Sequence, residues 1–266
     1  MNPLVRLRWT YALVIVFLVL FCVQLTAYIV NVMRDEGPQR MMIAYAEGGI
    51  VLGYTLVRAI WRIGAQAYLS RRWIRRFRAS RHRRLTKRLS YRYRHLGTEI
   101  MVVKDEAFVA LAIGMRKPTI VVSDAVLGMF GEEEVKAIIL HEWHHCRNRD
   151  NAKLFFARLL AEAFGYFPMM RPFYRYYQTW AELLADRFAM RRMGTELPLA
   201  RVLLKLSRLS GGRPHPAAVH FASATMHYRI AQVLEPDKTV KVKAAVLRPL
   251  LISLSLLLFL TLSGDS

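Results

Sequence analysis

The sequence predicts a mainly α-helical integral membrane protein with about three transmembrane helices and a cytoplasmic domain holding a small β-sheet. Three observations carry this. The 266 residues are 54% apolar yet have a formal charge of +21, so apolar and basic residues must be segregated along the chain, and they are. Three long stretches hold almost no charge. Between the second and third lies a predicted strand followed by a segment with helical apolar spacing.

The first stretch, Trp9 to Met33, is uncharged over more than the roughly 20 residues a membrane helix needs. It is too long for a signal-peptide core and no small-residue cleavage site follows, so it reads as an uncleaved anchor. The second runs from Met41 to Ile63. Its charges, Glu47 and Arg58, lie near the ends, where side chains reach the interface. The alternative is an amphipathic helix on the membrane surface. The third, Ala244 to Ser263, has Arg248 near its start.

Orientation follows from lysine and arginine. The stretch Arg71 to Arg94 holds twelve of them, whereas the loop Arg34 to Arg40 is short and mixed in sign. The N-terminus is therefore expected inside, residues 34–40 outside, and the middle of the chain in the cytoplasm. Lys238, Lys241 and Lys243 hold the start of the last helix inside. The expected division is an N-terminal transmembrane hairpin (1–66), a basic juxtamembrane segment (67–97), a cytoplasmic domain (98–243) and a C-terminal transmembrane helix (244–266), in a bacterial cell membrane.

Aromatic residues interleave with arginine in the basic segment, a pattern also met in nucleic-acid binding. Its place beside a membrane helix favours anionic inner-leaflet lipid as its partner over nucleic acid. The two cysteines, Cys22 and Cys146, form no disulfide framework and ask for no oxidising compartment.

The chemistry concentrates in LHEWHHCRNRDN, Leu140 to Asn151. The segment around it reads as a helix: Glu132, Glu133 and Glu134 suit the positive end, Arg147 and Arg149 the other, and Val135, Ile138 and Ile139 make an apolar stripe. His141 and His145 are four apart, so they share a face and can chelate one zinc ion. Glu142 lies where a general base is needed, which is the His-Glu-x-x-His pattern. His144 points elsewhere and is not made a ligand. In TWAELLADRFAMRR, Glu182 can complete a site of two histidines and one glutamate, and Asp186, one turn on, can accept the free N–H of a bound histidine. The bland alternatives are surface histidines and an exposed acidic pair. Residues 152–170 are apolar, but His145 and Glu182 can share an ion only if the chain between them crosses the membrane an even number of times. That segment therefore reads as a helix packed in the domain or at the membrane surface.

SDAVLGMFGEEEVKAIILHEWHHCRNRDN followed by ELLADRFA resembles the membrane metallopeptidases of the BlaR/MecR type, the sensor–antirepressors of beta-lactam resistance. The resemblance covers about residues 98–192. It implies a gluzincin-type zinc metallopeptidase domain binding one Zn2+ per chain. His141, His145 and Glu182 would be ligands, Glu142 the base, Asp186 the orienting carboxylate, and Asp150 the aspartate trailing the histidine helix. It also implies that Ala107–Asp124 forms a strand pair whose edge can take extended substrate, or is purely structural. The implied substrate is a cytoplasmic protein, a transcriptional repressor being the candidate the resemblance offers. Two departures stand out. Only Gly264, Asp265 and Ser266 follow the last apolar stretch, so no penicillin-binding sensor domain is expected, and Ala185 stands where relatives often carry cysteine. HYRIAQVLEP is similar to a region shared with the HtpX group of membrane quality-control proteases, and His215, His220, His227, Tyr228 and Arg229 are candidates for oxyanion stabilisation. An HtpX-like protease is thus the second reading. A third is a non-enzymatic membrane-tethered binding protein, whose salt-dependent binding would be indifferent to loss of His141.

Overall fold

In the computed structural model, the described residues are 3–35, 38–209, 225–236, 238, 240–242 and 247–262. The chain is mainly helical with one three-stranded sheet. It divides into two units, one of residues 1–65, 156–177 and 243–266, the other of residues 66–155 and 178–242.

The first unit is built on the apolar stretches. Helix α1 spans Pro3–Asp35 and α2 spans Pro38–Ala79. Within them Leu7–Val32 and Met41–Ala79 are long and apolar enough to cross a membrane. Their apolar side chains largely point away from protein: Val16, Val19, Val23, Ile50, Val57, Ile60 and Trp61 are all exposed. Aliphatic faces that no described residue covers suit a lipid solvent. The third apolar stretch is represented by α10, Leu247–Leu262. Its 16 described residues make about 24 Å of helix, short of the roughly 30 Å hydrocarbon core. The rest of the expected stretch, on both sides, lies outside the described residues. Within this unit α10 meets α1 through Gln24 Nε2, which donates to Leu257 O at 3.1 Å. Phe17 and Phe21 of α1 meet Phe167 edge-on, with centroids 4.8 and 5.0 Å apart.

The second unit carries the sheet. Strands β1 (Glu99–Val103), β2 (Ala110–Ile113) and β3 (Thr119–Ser123) lie in the order β1-β3-β2. The expected strand pair within 107–124 is present as β2 and β3, antiparallel with Ala110 opposite Val122 and Ile113 opposite Thr119. β1 adds in parallel to β3, Glu99 opposite Thr119. Both faces of the sheet are covered, which is why its strands are apolar on both sides rather than alternating with polar residues. Ile100, Val102, Ile120 and Val122 pack with Val135, Ile138 and Ile139 of α5, Glu132–Asn148. Met101, Val103, Val109 and Val121 pack on Phe77, with Trp73 alongside. These two aromatics belong to the far end of α2, which continues unbroken through the basic run because arginine, leucine and alanine are good helix formers.

The two sheet edges are treated differently. Helix α3, Arg83–Arg92, closes the edge of β1. Ser90 Oγ donates to Ile100 O at 3.0 Å, and the backbone N–H of His82 donates to Val102 O at 2.8 Å. Thr86 Oγ1 accepts from Val102 N–H at 3.0 Å. Such cover removes an edge that could template aggregation. Beyond β2, among the described residues, no strand pairs. Val109 O accepts from Ser123 N–H and so faces β3. The period of two then turns the backbone groups of Ala110 and Ala112 outward. Asn151 Nδ2 reaches that outward side, donating to Ala112 O at 2.9 Å. The β2–β3 turn uses Gly114 at φ +100°, where an added Cβ would lie 2.8 Å from Lys117 O.

The remaining helices are α4 (Asp124–Met129), α6 (Asp150–Ala163), α7 (Met170–Met193), α8 (Leu197–Leu209) and α9 (Met226–Leu234). α4 is capped by Ser123, whose side chain accepts from Val126 N–H.

Candidate metal centre

The site is assembled on α5, as its acidic start and apolar stripe predict. Glu134 Oε2 accepts from the N–H of Gly131 at 2.7 Å, closing the N-terminus. Val135, Ile138 and Ile139 are buried against the sheet. The helix ends at Arg149, which adopts φ 54° in the left-handed region, so the chain turns sharply into Asp150 at the start of α6.

One turn of α5 places His141 and His145 together, with Nε2 atoms 3.1 Å apart. Glu182 of α7 joins them, its Oε2 at 3.5 Å from His141 Nε2 and its Oε1 at 3.7 Å from His145 Nε2. The ligand atoms of His141, His145 and Glu182 all lie within 4.8 Å of one another. Asp186, one turn further along α7, lies with Oδ1 2.9 Å from His141 Nδ1. Asp150 takes the corresponding place behind the second ring, with Oδ2 2.8 Å from His145 Nδ1. Asn148 Nδ2 donates to the other oxygen of Asp150 at 2.6 Å. Glu142 is 3% exposed, and its charge is felt by His145 and Arg229.

Arg229 of α9 completes the cluster from a buried position. Its Nε and Nη2 donate to the two oxygens of Asp186 at 2.7 Å each, and its Nη1 lies 3.0 Å from Glu182 Oε2. Of the five oxyanion candidates read from the sequence, Arg229 is thus engaged with carboxylates. His227 is exposed and Tyr228 half-buried, and His215 and His220 lie outside the described residues. Sequence reasoning missed the engagement of Arg229 and the pairing of Asp150 with His145. The available signal was charge: several buried carboxylates need a buried cation.

Burial by itself would strip charge from these groups, and the neighbours reverse it. Burial lowers the pKa of His141, but the contacts with Asp186 and Glu182 outweigh it and raise it to about 9. His145 is raised in the same way by Asp150. Burial would push Glu182 and Asp186 up, yet Arg229 holds both well below the usual carboxylate range. His144 lacks such compensation. Burial brings it down to about 4, so it stays neutral at physiological pH. Burial pushes the Cys146 thiol up to about 12, which makes it a poor thiolate ligand.

The donor set fits a divalent metal. Each ring has its Nδ1 turned to a carboxylate, which fixes the tautomer that leaves Nε2 as a lone pair. Two such lone pairs and a carboxylate converging this closely repel unless a proton or a metal ion sits among them. Two imidazole nitrogens with one carboxylate oxygen is a donor set suited to zinc.

Mainly helical, with apolar candidate spans and a His/Glu group able to hold a metal ion, the chain has the make-up of a membrane-associated peptidase. It belongs to the BlaR1 peptidase M56 family, whose profile matches residues 38–233. M56 is a family of metallopeptidases. No curated protein matches the chain.

Proposed function

We propose that this protein is a membrane-anchored zinc endopeptidase that cleaves a cytoplasmic protein in regulatory proteolysis, a transcriptional repressor being the substrate its family suggests. The observation that carries this is the convergence of His141, His145 and Glu182, with each imidazole oriented by its own carboxylate. Zinc held there would serve as a Lewis acid that acidifies water and polarises the scissile carbonyl. Glu142 takes the proton of the attacking water and delivers it to the departing amide nitrogen. Asp186 and Asp150 keep the two rings in the ligating tautomer. The open edge of β2 lies beside α5, and an extended substrate adds to it through Ala110 and the N–H of Ala112.

The topology proposed with this function has three crossings, α1, α2 and the stretch containing α10, with the N-terminus and the site on the cytoplasmic side. Arg71, Arg75 and Arg78 line one groove, and Arg78, Arg81, Arg83 and Lys87 line another that adjoins it. Continuous with the second span, this basic surface suits anionic lipid of the inner leaflet. The function is tested by comparing the cleavage products in cells carrying wild type and Glu142→Gln. A regulatory protease yields one or two cuts that vanish in the variant. Unchanged cuts would defeat the proposal, and many unrelated cuts would point to quality control instead.

A further inference from the structure

We infer that Arg229 is a positioning residue of the metal site: it holds Glu182 Oε2 and both oxygens of Asp186, and so fixes the turn of the Glu182 carboxylate beside the two histidines together with the carboxylate behind His141. This rests on the metal-site reading above and concerns a residue, Arg229, that the reading leaves without a role. A guanidinium is planar, and its donors are fixed relative to one another. Two of them form parallel bonds to Asp186 at 2.7 Å, and the remaining Nη1 lies 3.0 Å from Glu182 Oε2. One rigid group therefore sets the orientation of two carboxylates on α7 at once. Held so, Glu182 keeps Oε2 3.5 Å from His141 Nε2 and Oε1 3.7 Å from His145 Nε2. A carboxylate free to turn can bind a metal through one oxygen or two. One-oxygen binding keeps a coordination position open for water, which a hydrolytic site requires. The second effect passes through Asp186 to His141 Nδ1. A single cation on α9 thus acts on two of the three ligands.

The same helix supplies its own control. Gln232, one turn beyond Arg229, donates from Nε2 to Leu183 O at 2.9 Å, so it docks α9 on α7 without touching either carboxylate. Lysine at position 229 would preserve the charge but cannot hold Asp186 and Glu182 together, because its ammonium is a point donor.

The test uses the detergent-solubilised full chain as wild type, Arg229→Met, Arg229→Lys and Gln232→Leu. Zinc affinity is measured by competition with a chromophoric chelator, the visible absorption of the cobalt-loaded protein is recorded, and thermal unfolding is followed by circular dichroism. Both Arg229 variants are expected to bind zinc about ten- to a hundred-fold more weakly. Their cobalt spectra should differ from wild type in the visible, as the Glu182 carboxylate turns in the coordination shell. Gln232→Leu should lose thermal stability yet keep the wild-type affinity and spectrum. Arg229→Lys with wild-type affinity and spectrum would overturn the inference. So would Gln232→Leu reproducing the Arg229 changes, since docking of α9 would then suffice. Should Arg229→Met fail to fold, Arg229→Lys decides by the same two readouts. Wild type that binds no metal would reject the metal-site reading itself, a failure distinct from either of these.

Discussion

Each histidine of the pair leans on a different carboxylate, and the two carboxylates come from different helices. Asp186 reaches His141 from α7, while Asp150 reaches His145 from the start of α6. Replacing either aspartate by asparagine removes the charge but not the shape. Asp186→Asn and Asp150→Asn are each expected to weaken zinc binding about ten- to a hundred-fold in chelator competition, whereas His144→Ala should leave it unchanged. Metal uptake should also depend on pH. With no metal bound, the folded protein holds a proton on His141 up to about pH 9, against an ordinary 6.5. That raised pKa stabilises the metal-free fold below about pH 6.5, and the contribution fades as pH rises through 9. Zinc must displace the proton, so its apparent affinity should rise about tenfold per pH unit between those limits. An affinity flat over that range would show that His141 carries no such proton. His141 with His145, and Glu182 with Asp186, were legible in the sequence because spacings of four place side chains on one helical face, and Glu142 because it completes the His-Glu-x-x-His pattern. The pairing of Asp150 was not, because it depends on the left-handed turn at Arg149. Nor was the engagement of Arg229, which meets Asp186 across 43 positions of sequence.

At the scale of elements, the sheet shows how much a local pattern reveals. β2 and β3 were expected because residues 107–124 resemble the strand pair of the BlaR/MecR-type metallopeptidases, and the turn between them falls at Gly114. Alanine there would be strained at φ +100° and would collide with Lys117 O. Gly114→Ala should cost about 1–3 kcal/mol, read as a lowered thermal midpoint, and a midpoint equal to wild type would contradict the turn geometry. The parallel addition of β1 was not readable, because its partner β3 lies beyond β2 in the chain. The cover over its edge was hidden too, since the hydroxyls that make it sit on a helix whose charge draws attention to lipid. Thr86 is buried and both donates to and accepts from Val102. Thr86→Val leaves the N–H of Val102 without that acceptor and should destabilise by about 1–3 kcal/mol in denaturant titration. Ser90→Ala, at a half-buried position, should cost less.

Across the whole molecule, apolar runs and basic clusters could be read directly because membrane insertion depends on composition more than on tertiary contacts. The start of the basic segment is not marked by a break in structure, since helix propensity carries α2 from apolar to basic sequence without interruption. The proposed orientation predicts that alkaline phosphatase fused after Glu36 is active and that a fusion after Gly97 is inactive. The reverse pattern would place the site outside and remove cytoplasmic proteins as substrates. Beneath topology, substrate and regulation lies one claim, that His141, His145 and Glu182 bind a metal. The most direct measurement is the zinc content of the detergent-purified protein by elemental mass spectrometry, wild type beside Glu182→Ala. The three-ligand site predicts near one zinc per wild-type chain and a clear loss in the variant. Wild type free of zinc, or a variant that retains as much, would contradict it.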